Sequence, residues 1–229
     1  MNDSYLKEFE ATVVSVKDDK FVVLDQTAFY PVGGGQPHDE GVLLCNGKEY
    51  QVVFVGKFDG EISHEISEPG LKEGDVVLGK INWERRYKFM RMHTASHIVS
   101  AIFHGKHGAK ITGNQIGLEK TRIDYNMDEF DKEKIKEYLA EADAAGKSNV
   151  DVTTEYMERE EALKDPDMVK LAGALPPAVK ELRIVTIGDI DRQADGGTHI
   201  KNSSEIGNIV YLKADNKGKN NRRLYFGLE

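Results

Sequence analysis

The chain has 229 residues, of which 39% are hydrophobic and 31% charged, with a formal net charge of −8. That composition describes an ordinary globular protein long enough for one large or two small domains, and its acidity argues against a non-specific nucleic-acid binder. A single cysteine, Cys45, excludes an internal disulfide framework and fits a reducing, cytoplasmic setting; no basic segment followed by an apolar core marks a signal peptide, and no apolar run reaches the roughly 20 residues of a membrane span.

The first eighty residues read as β. "FEATVVSVK", "FVVLDQ", "GVLLCNG", "EYQVVFVG", "EISHEI" and "DVVLGKI" are short, rich in Val, Ile and Phe, and punctuated by Gly, Asp and Asn, as in a small barrel or meander. Near Trp83 the period changes. Apolar residues at 89, 92, 95, 98, 99, 102 and 103 predict a helix with a broad apolar face, capped by Asn82 and stopped at Gly105 or Gly108. Strands "NQIGLEK" and "TRIDYNM" follow. Next comes an amphipathic helix "DKEKIKEYLAEADAAG", capped by Asp131 and ended by Gly146, then strand "VDVTTEYM" and a short helix around "REEALKD". A loop with Pro176 and Pro177 precedes the last strands, "ELRIVTI", "NIVYLKA" and "RRLYFGLE". Helices and strands mix without βαβ alternation. The expected architecture is therefore α+β, with a β-barrel-like domain over 1–82 and an α+β domain over 83–229 that contains a metal-binding helix.

Several clusters can carry chemistry. His93 and His97 stand one turn apart on the first helix, so two imidazoles can converge on one cation. No glutamate follows the first histidine, so the metalloprotease helix is not matched. His199, after "DGG", offers a third ligand on a turn, and Asp195 an oxygen ligand four residues earlier. The bland alternative is a pair of core histidines and a solvated turn. A second glycine-rich stretch, "QTAFYPVGGGQPHDEG", contains Thr27, Gly33, Gly34, Gly35 and Gln36. It is either a loop whose amides and polar side chains meet a small polar substrate or a structural turn. It is not a P-loop, since no G-K-[ST] follows. Two basic clusters, with Arg85, Arg86 and Arg91 in one and Arg222 and Arg223 in the other, can dock phosphates or simply form a solvated face. No nucleophile elbow is present, so hydrolysis would fall to a water held at the metal. No single carboxylate stands out as a general base.

"AFYPVGGGQPHD", "RMHTASH" and "DGGTH" occur in the order found in the editing domain of alanyl-tRNA synthetase. The chain resembles the freestanding, medium-sized AlaX relatives of that domain, from about Phe9 to Phe226. The resemblance implies a zinc-dependent hydrolase that clears tRNA(Ala) mischarged with serine, and in some members glycine, without ATP. It implies His93, His97 and His199 as zinc ligands, Thr27 as the sensor of the serine hydroxyl, and Gln36 with the three glycines as part of the amino-acid pocket. The arginine clusters would meet the tRNA. The family's fourth ligand position, a cysteine in "CGGTH", is Asp195 here. That carboxylate either replaces the sulfur, orients a water, or leaves a three-histidine site. Two competing readings follow from this departure: a binding module for tRNA or amino acid with weakened metal affinity, and a metallohydrolase of another small ester.

Overall fold

The computed structural model describes residues 3–170 and 179–229. Pro176 and Pro177, and the loop expected around them, lie outside the described residues. The chain divides into two compact units, Met1–Lys88 and Phe89–Glu229.

The first unit is a closed antiparallel barrel of six strands: β1 (Glu8–Lys17), β2 (Phe21–Leu24), β3 (Gly41–Cys45), β4 (Lys48–Phe58), β5 (Glu61–Ile66) and β6 (Val76–Ile81). Around the barrel they run β1-β2-β5-β4-β3-β6, and β6 returns to pair with β1. Closure removes exposed strand edges. Alternate residues such as Val13, Val22, Leu43, Val55, Ile66 and Val77 fill the interior. Turn chemistry sets the registers. Asn46-Gly47 joins β3 to β4 and Asp59-Gly60 joins β4 to β5, and all four residues have positive φ. Two consecutive positive φ values make a type I′ turn, whose twist matches that of the strands it joins.

Helix α1 (Trp83–His107) begins as expected, with the Asn82 Oδ1 accepting from the Arg85 amide at 3.2 Å. It runs through Gly105 and stops at Gly108, whose φ is +62°. Instead of one apolar face, every residue from Met92 to Ser100 is buried, including His93, Thr94, Ser96, His97 and Ser100. Buried polar groups need partners, and the second unit supplies them.

That unit is α+β. One antiparallel sheet has the order β12-β13-β8-β7, built from β7 (Ile111–Gln115), β8 (Thr121–Tyr125), β12 (Ile209–Asn216) and β13 (Arg222–Leu228). A three-stranded antiparallel sheet has the order β11-β10-β9, from β9 (Val152–Glu158), β10 (Glu181–Ile187) and β11 (Asp191–Ala194). Helix α2 (Lys132–Gly146) has Asp131 as its cap, accepting from the amides of Glu133 and Lys134. It ends without a left-handed glycine, since Lys147 caps it in the right-handed region. A four-residue helix, α3 (Arg159–Ala162), and a 3-10 turn at Pro166–Met168 occupy the place of the expected short helix. Two expectations need correction. The strand placed over 114–120 ends at Gln115, because the chain folds so tightly at Gly117 that a Cβ there would sit 2.5 Å from the Lys120 carbonyl oxygen. Strand β11 was hidden from the sequence because its buried face carries Asp191 and Gln193 rather than apolar side chains.

Candidate functional site

The second unit brings His93, His97, Asp195 and His199 together, with one ligand atom of each within 4.8 Å of the others. The two helical histidines come from α1. His199 and Asp195 come from the turn that follows β11. The three imidazoles pack with centroids 4.4–5.1 Å apart, and all three rings are buried. Their Nε2 atoms converge on one carboxylate: His199 at 3.1 Å from Oδ1, His93 at 3.5 Å and His97 at 3.9 Å from Oδ2 of Asp195. A tetrahedral ion with bonds of about 2.0–2.1 Å separates its ligand atoms by roughly 3.4 Å. Three buried imidazole nitrogens and a half-buried carboxylate oxygen at such spacings fit a zinc-type cation in both donor chemistry and size.

Groups behind the ring define which nitrogen faces inward. His97 Nδ1 lies 3.0 Å from Oδ2 of Asp191, and His199 Nδ1 lies 3.1 Å from the Thr94 hydroxyl. A proton held on Nδ1 leaves Nε2 as the free lone pair that a cation requires. Asp191 is itself anchored by a buried ion pair with Lys170 and by the Gln193 amide at 2.9 Å. Asp191, Gln193 and Asp195 were not all visible as one group from composition. Their period-two spacing, Asp-x-Gln-x-Asp, from the start of β11 to the first residue after it, is the signal for one shared face.

The two carboxylates make the cluster attractive to positive charge, whether a proton or a cation. Burial disfavours a charged His97, but hydrogen bonds to Asp191 and Asp195 outweigh it and raise its pKa to about 9. Burial and the neighbouring His93 charge hold His199 well below its ordinary value. Burial alone would raise Asp195, yet the charge on His93 and hydrogen bonds from His199, His93 and His97 hold it well below the usual carboxylate range. Asp195 is thus an anion facing a cluster that would otherwise share protons.

The turn around Asp195 is built for contact. Asp195 Oδ1 accepts the Gly197 amide at 2.6 Å. The Arg183 guanidinium donates to the carbonyls of Asp195 and Gly197 at 3.0 and 2.9 Å. A Cβ on Gly197 would collide with Cε1 and Nδ1 of His93, whereas nothing lies within 4 Å of a Cβ on Gly196. Only the second glycine is required by its surroundings.

In the first unit, the glycine-rich stretch is a hairpin. Gly33 and Gln36 exchange backbone hydrogen bonds at 3.1 and 2.9 Å, and Gly34 and Gly35 between them have φ of +58° and +85°. This is another type I′ turn, so the amides of Gly33 and Gln36 face each other rather than a ligand. The Gln36 side chain is fully buried. Thr27 is half-buried; its Oγ1 accepts the Phe29 amide at 3.1 Å and lies 2.8 Å from His64 Nε2. His64, on β5, lies wholly inside the barrel.

The basic clusters are drawn into the fold. Arg86 is buried, pairs with both oxygens of Asp39, and donates to the carbonyls of Ser4 and Ala28. Arg222 donates to the carbonyls of Glu129, Gly218 and Asn221 and to Asn216. Arg91 holds the Ile206 carbonyl, Arg223 forms a bidentate pair with Asp124, and Arg85 bonds the His38 carbonyl and Glu40. Arg86 and Arg222 therefore tie separate segments of the fold together. Sequence proximity shows that the charges cluster but not which partner each guanidinium meets.

Comparison with known proteins places these features in a family. Residues 182–225 match the "Threonyl and Alanyl tRNA synthetase second additional domain", and residues 4–85 match "tRNA synthetases class II (A)". The chain is 48% identical to the alanyl-tRNA editing protein AlaX-M of Methanosarcina acetivorans, over 99% of this chain and 96% of that one. It is 46% identical to AlaX-M of Saccharolobus solfataricus, again over 99% and 96%. To the alanine–tRNA ligase of Pyrococcus furiosus it is 39% identical over 93% of its own length, spanning 24% of the ligase. With near-complete coverage on both sides at this identity, the chain belongs to the AlaX-M family of alanyl-tRNA editing proteins.

Proposed function

We propose that this protein is a zinc-dependent deacylase acting on mischarged tRNA(Ala), hydrolysing the ester that joins serine to the terminal adenosine while sparing alanine. The convergence of four ligand atoms from His93, His97, Asp195 and His199 within 4.8 Å, in a chain of an alanyl-tRNA editing family, carries the reading. Zinc, when bound, supplies a Lewis acid for the ester and its attacking water. The protein's own part is orientation. Asp191, which only accepts, sets the Nδ1 proton of His97, the Thr94 hydroxyl can accept that of His199, and Asp195 supplies the negative charge where relatives with cysteine would supply a thiolate. Thr27 takes the substrate hydroxyl. A site that hydrogen-bonds a hydroxyl rejects the analogue lacking it, because its polar atom is then left unpaired. The soft-ligand family position filled by a carboxylate shifts the site toward harder donors without changing its charge.

The test is deacylation of Ser-, Gly- and Ala-tRNA(Ala) by wild type and by His199→Ala, alongside elemental analysis. The expected result is zinc in the wild type, turnover of Ser-tRNA(Ala) far above Ala-tRNA(Ala), and loss of both zinc and turnover in the variant. Equal rates on the serine and alanine esters would overturn the specificity. Full activity of metal-free protein would overturn the zinc.

A further inference from the structure

We infer that His64 is a positioning residue for serine recognition: its Nε2 accepts the hydrogen bond donated by the Thr27 hydroxyl, so that Thr27 meets its ligand only as an acceptor. This rests on the reading of Thr27 as the sensor of the substrate hydroxyl.

The inference follows from counting protons. His64 Nδ1 lies 2.9 Å from the carbonyl oxygen of Val22. A carbonyl oxygen only accepts, so Nδ1 carries a hydrogen. The ring is fully buried inside the barrel, with Phe29 edge-on at 5.5 Å. Burial lowers its pKa to about 4, outweighing the hydrogen bond to Val22 that favours the charged form, so at neutral pH it has one proton. Nε2 is then a bare lone pair, 2.8 Å from Thr27 Oγ1. The threonine hydroxyl must be the donor of that bond. Its oxygen already accepts one hydrogen, from the Phe29 amide at 3.1 Å. One lone pair is left.

A hydroxyl normally adapts, donating or accepting as its partner demands. Here both the rotor and the polarity are set before a ligand arrives. A serine hydroxyl can donate to the remaining lone pair. The alanine methyl and the glycine hydrogen have no donor to offer. A preset acceptor needs no reorientation on binding, which is where pre-organised sites gain selectivity.

The experiment has a wild-type arm and a variant arm. In wild-type protein with labelled histidine, 15N shifts at pH 7 are expected to show a neutral His64 with the proton on Nδ1. An imidazolium, or the Nε2–H tautomer, overturns the inference without reference to any variant. His64→Phe keeps an aromatic ring but frees the Thr27 rotor. The ratio of kcat/KM for Ser-tRNA(Ala) over Ala-tRNA(Ala) is expected to fall about tenfold, the loss of one set hydrogen bond, with the change in the serine arm. In a Thr27→Val background, His64→Phe is expected to add nothing to the loss. If Thr27→Val lowers the ratio but His64→Phe does not, the inference fails and the sensor reading stands. If Thr27→Val itself leaves the ratio unchanged, the sensor reading fails and takes the inference with it.

Discussion

His97 is held between two carboxylates: its Nδ1 lies 3.0 Å from Asp191 and its Nε2 lies 3.9 Å from Asp195. The two play different parts. Asp195 faces the ligand atoms of the cluster, whereas Asp191 sits behind the ring, anchored by Lys170. Asp191→Asn keeps the shape of the side chain and removes its charge. Outer partners of ligating histidines typically contribute about 10–100-fold in metal affinity. Zinc affinity of Asp191→Asn, measured by competition with a chromophoric chelator, is expected to fall by that amount. Unchanged affinity would show that Asp191 only braces Lys170.

Much of this was legible in sequence, and what was not has a physical cause. The barrel strands announced themselves because a closed barrel must alternate apolar residues inward and because Asn46-Gly47 and Asp59-Gly60 are turn residues with one conformational use. The histidine pair showed itself through helical spacing. Strand β11 did not, since the residues it buries are Asp191 and Gln193, whose partner is a histidine of α1 nearly a hundred positions away. The roles of Arg86 and Arg222 were missed for the same reason. Their partners, Asp39 and the carbonyls at 128 and 129, are brought near only by the fold.

The turn before His199 makes a paired prediction. Gly196→Ala meets open space and is expected to leave stability within about 0.5 kcal/mol, as at most surface positions. Gly197→Ala drives a methyl into the His93 ring. Overpacking of that kind costs about 1–3 kcal/mol, and moving His93 is also expected to lower zinc affinity. Chemical denaturation with and without zinc reads both effects. At the neighbouring position, Asp195→Ala is expected to lower zinc content and Asp195→Cys to preserve it. Full zinc in Asp195→Ala would leave three histidines as the whole ligand set.

Arg86 separates a structural role from a tRNA contact. Asp39 accepts from the guanidinium and from the Tyr30 amide, all in the barrel unit and all buried. Removing one partner of a buried pair costs about 3–5 kcal/mol, since the other charge stays buried without it. Arg86→Met is therefore expected to lower the denaturation midpoint by an amount of that order. A phosphate ligand behaves differently: its loss reduces the salt dependence of tRNA binding by about one unit of slope. The folded variant is expected to keep the wild-type slope, and a reduced slope would return Arg86 to the tRNA interface.

Acid stability tests the state of His64. Its folded pKa is about 4 because burial excludes the charged form, against an ordinary value of about 6.5 in the unfolded chain. Between those values the unfolded state binds a proton that the folded state refuses. The folded protein therefore has the full benefit of a neutral His64 above about pH 6.5, and loses it as pH falls toward 4. A gap of that size corresponds to about 3 kcal/mol across the window. His64→Phe has no proton to bind in either state, so its stability is expected to fall less steeply over pH 6.5 to 4, whatever its value at neutral pH. Urea denaturation of both proteins at half-unit intervals gives the difference of the two curves. A difference that stays flat would mean that the histidine titrates normally inside the barrel, and that its Nε2 is not a standing acceptor for Thr27.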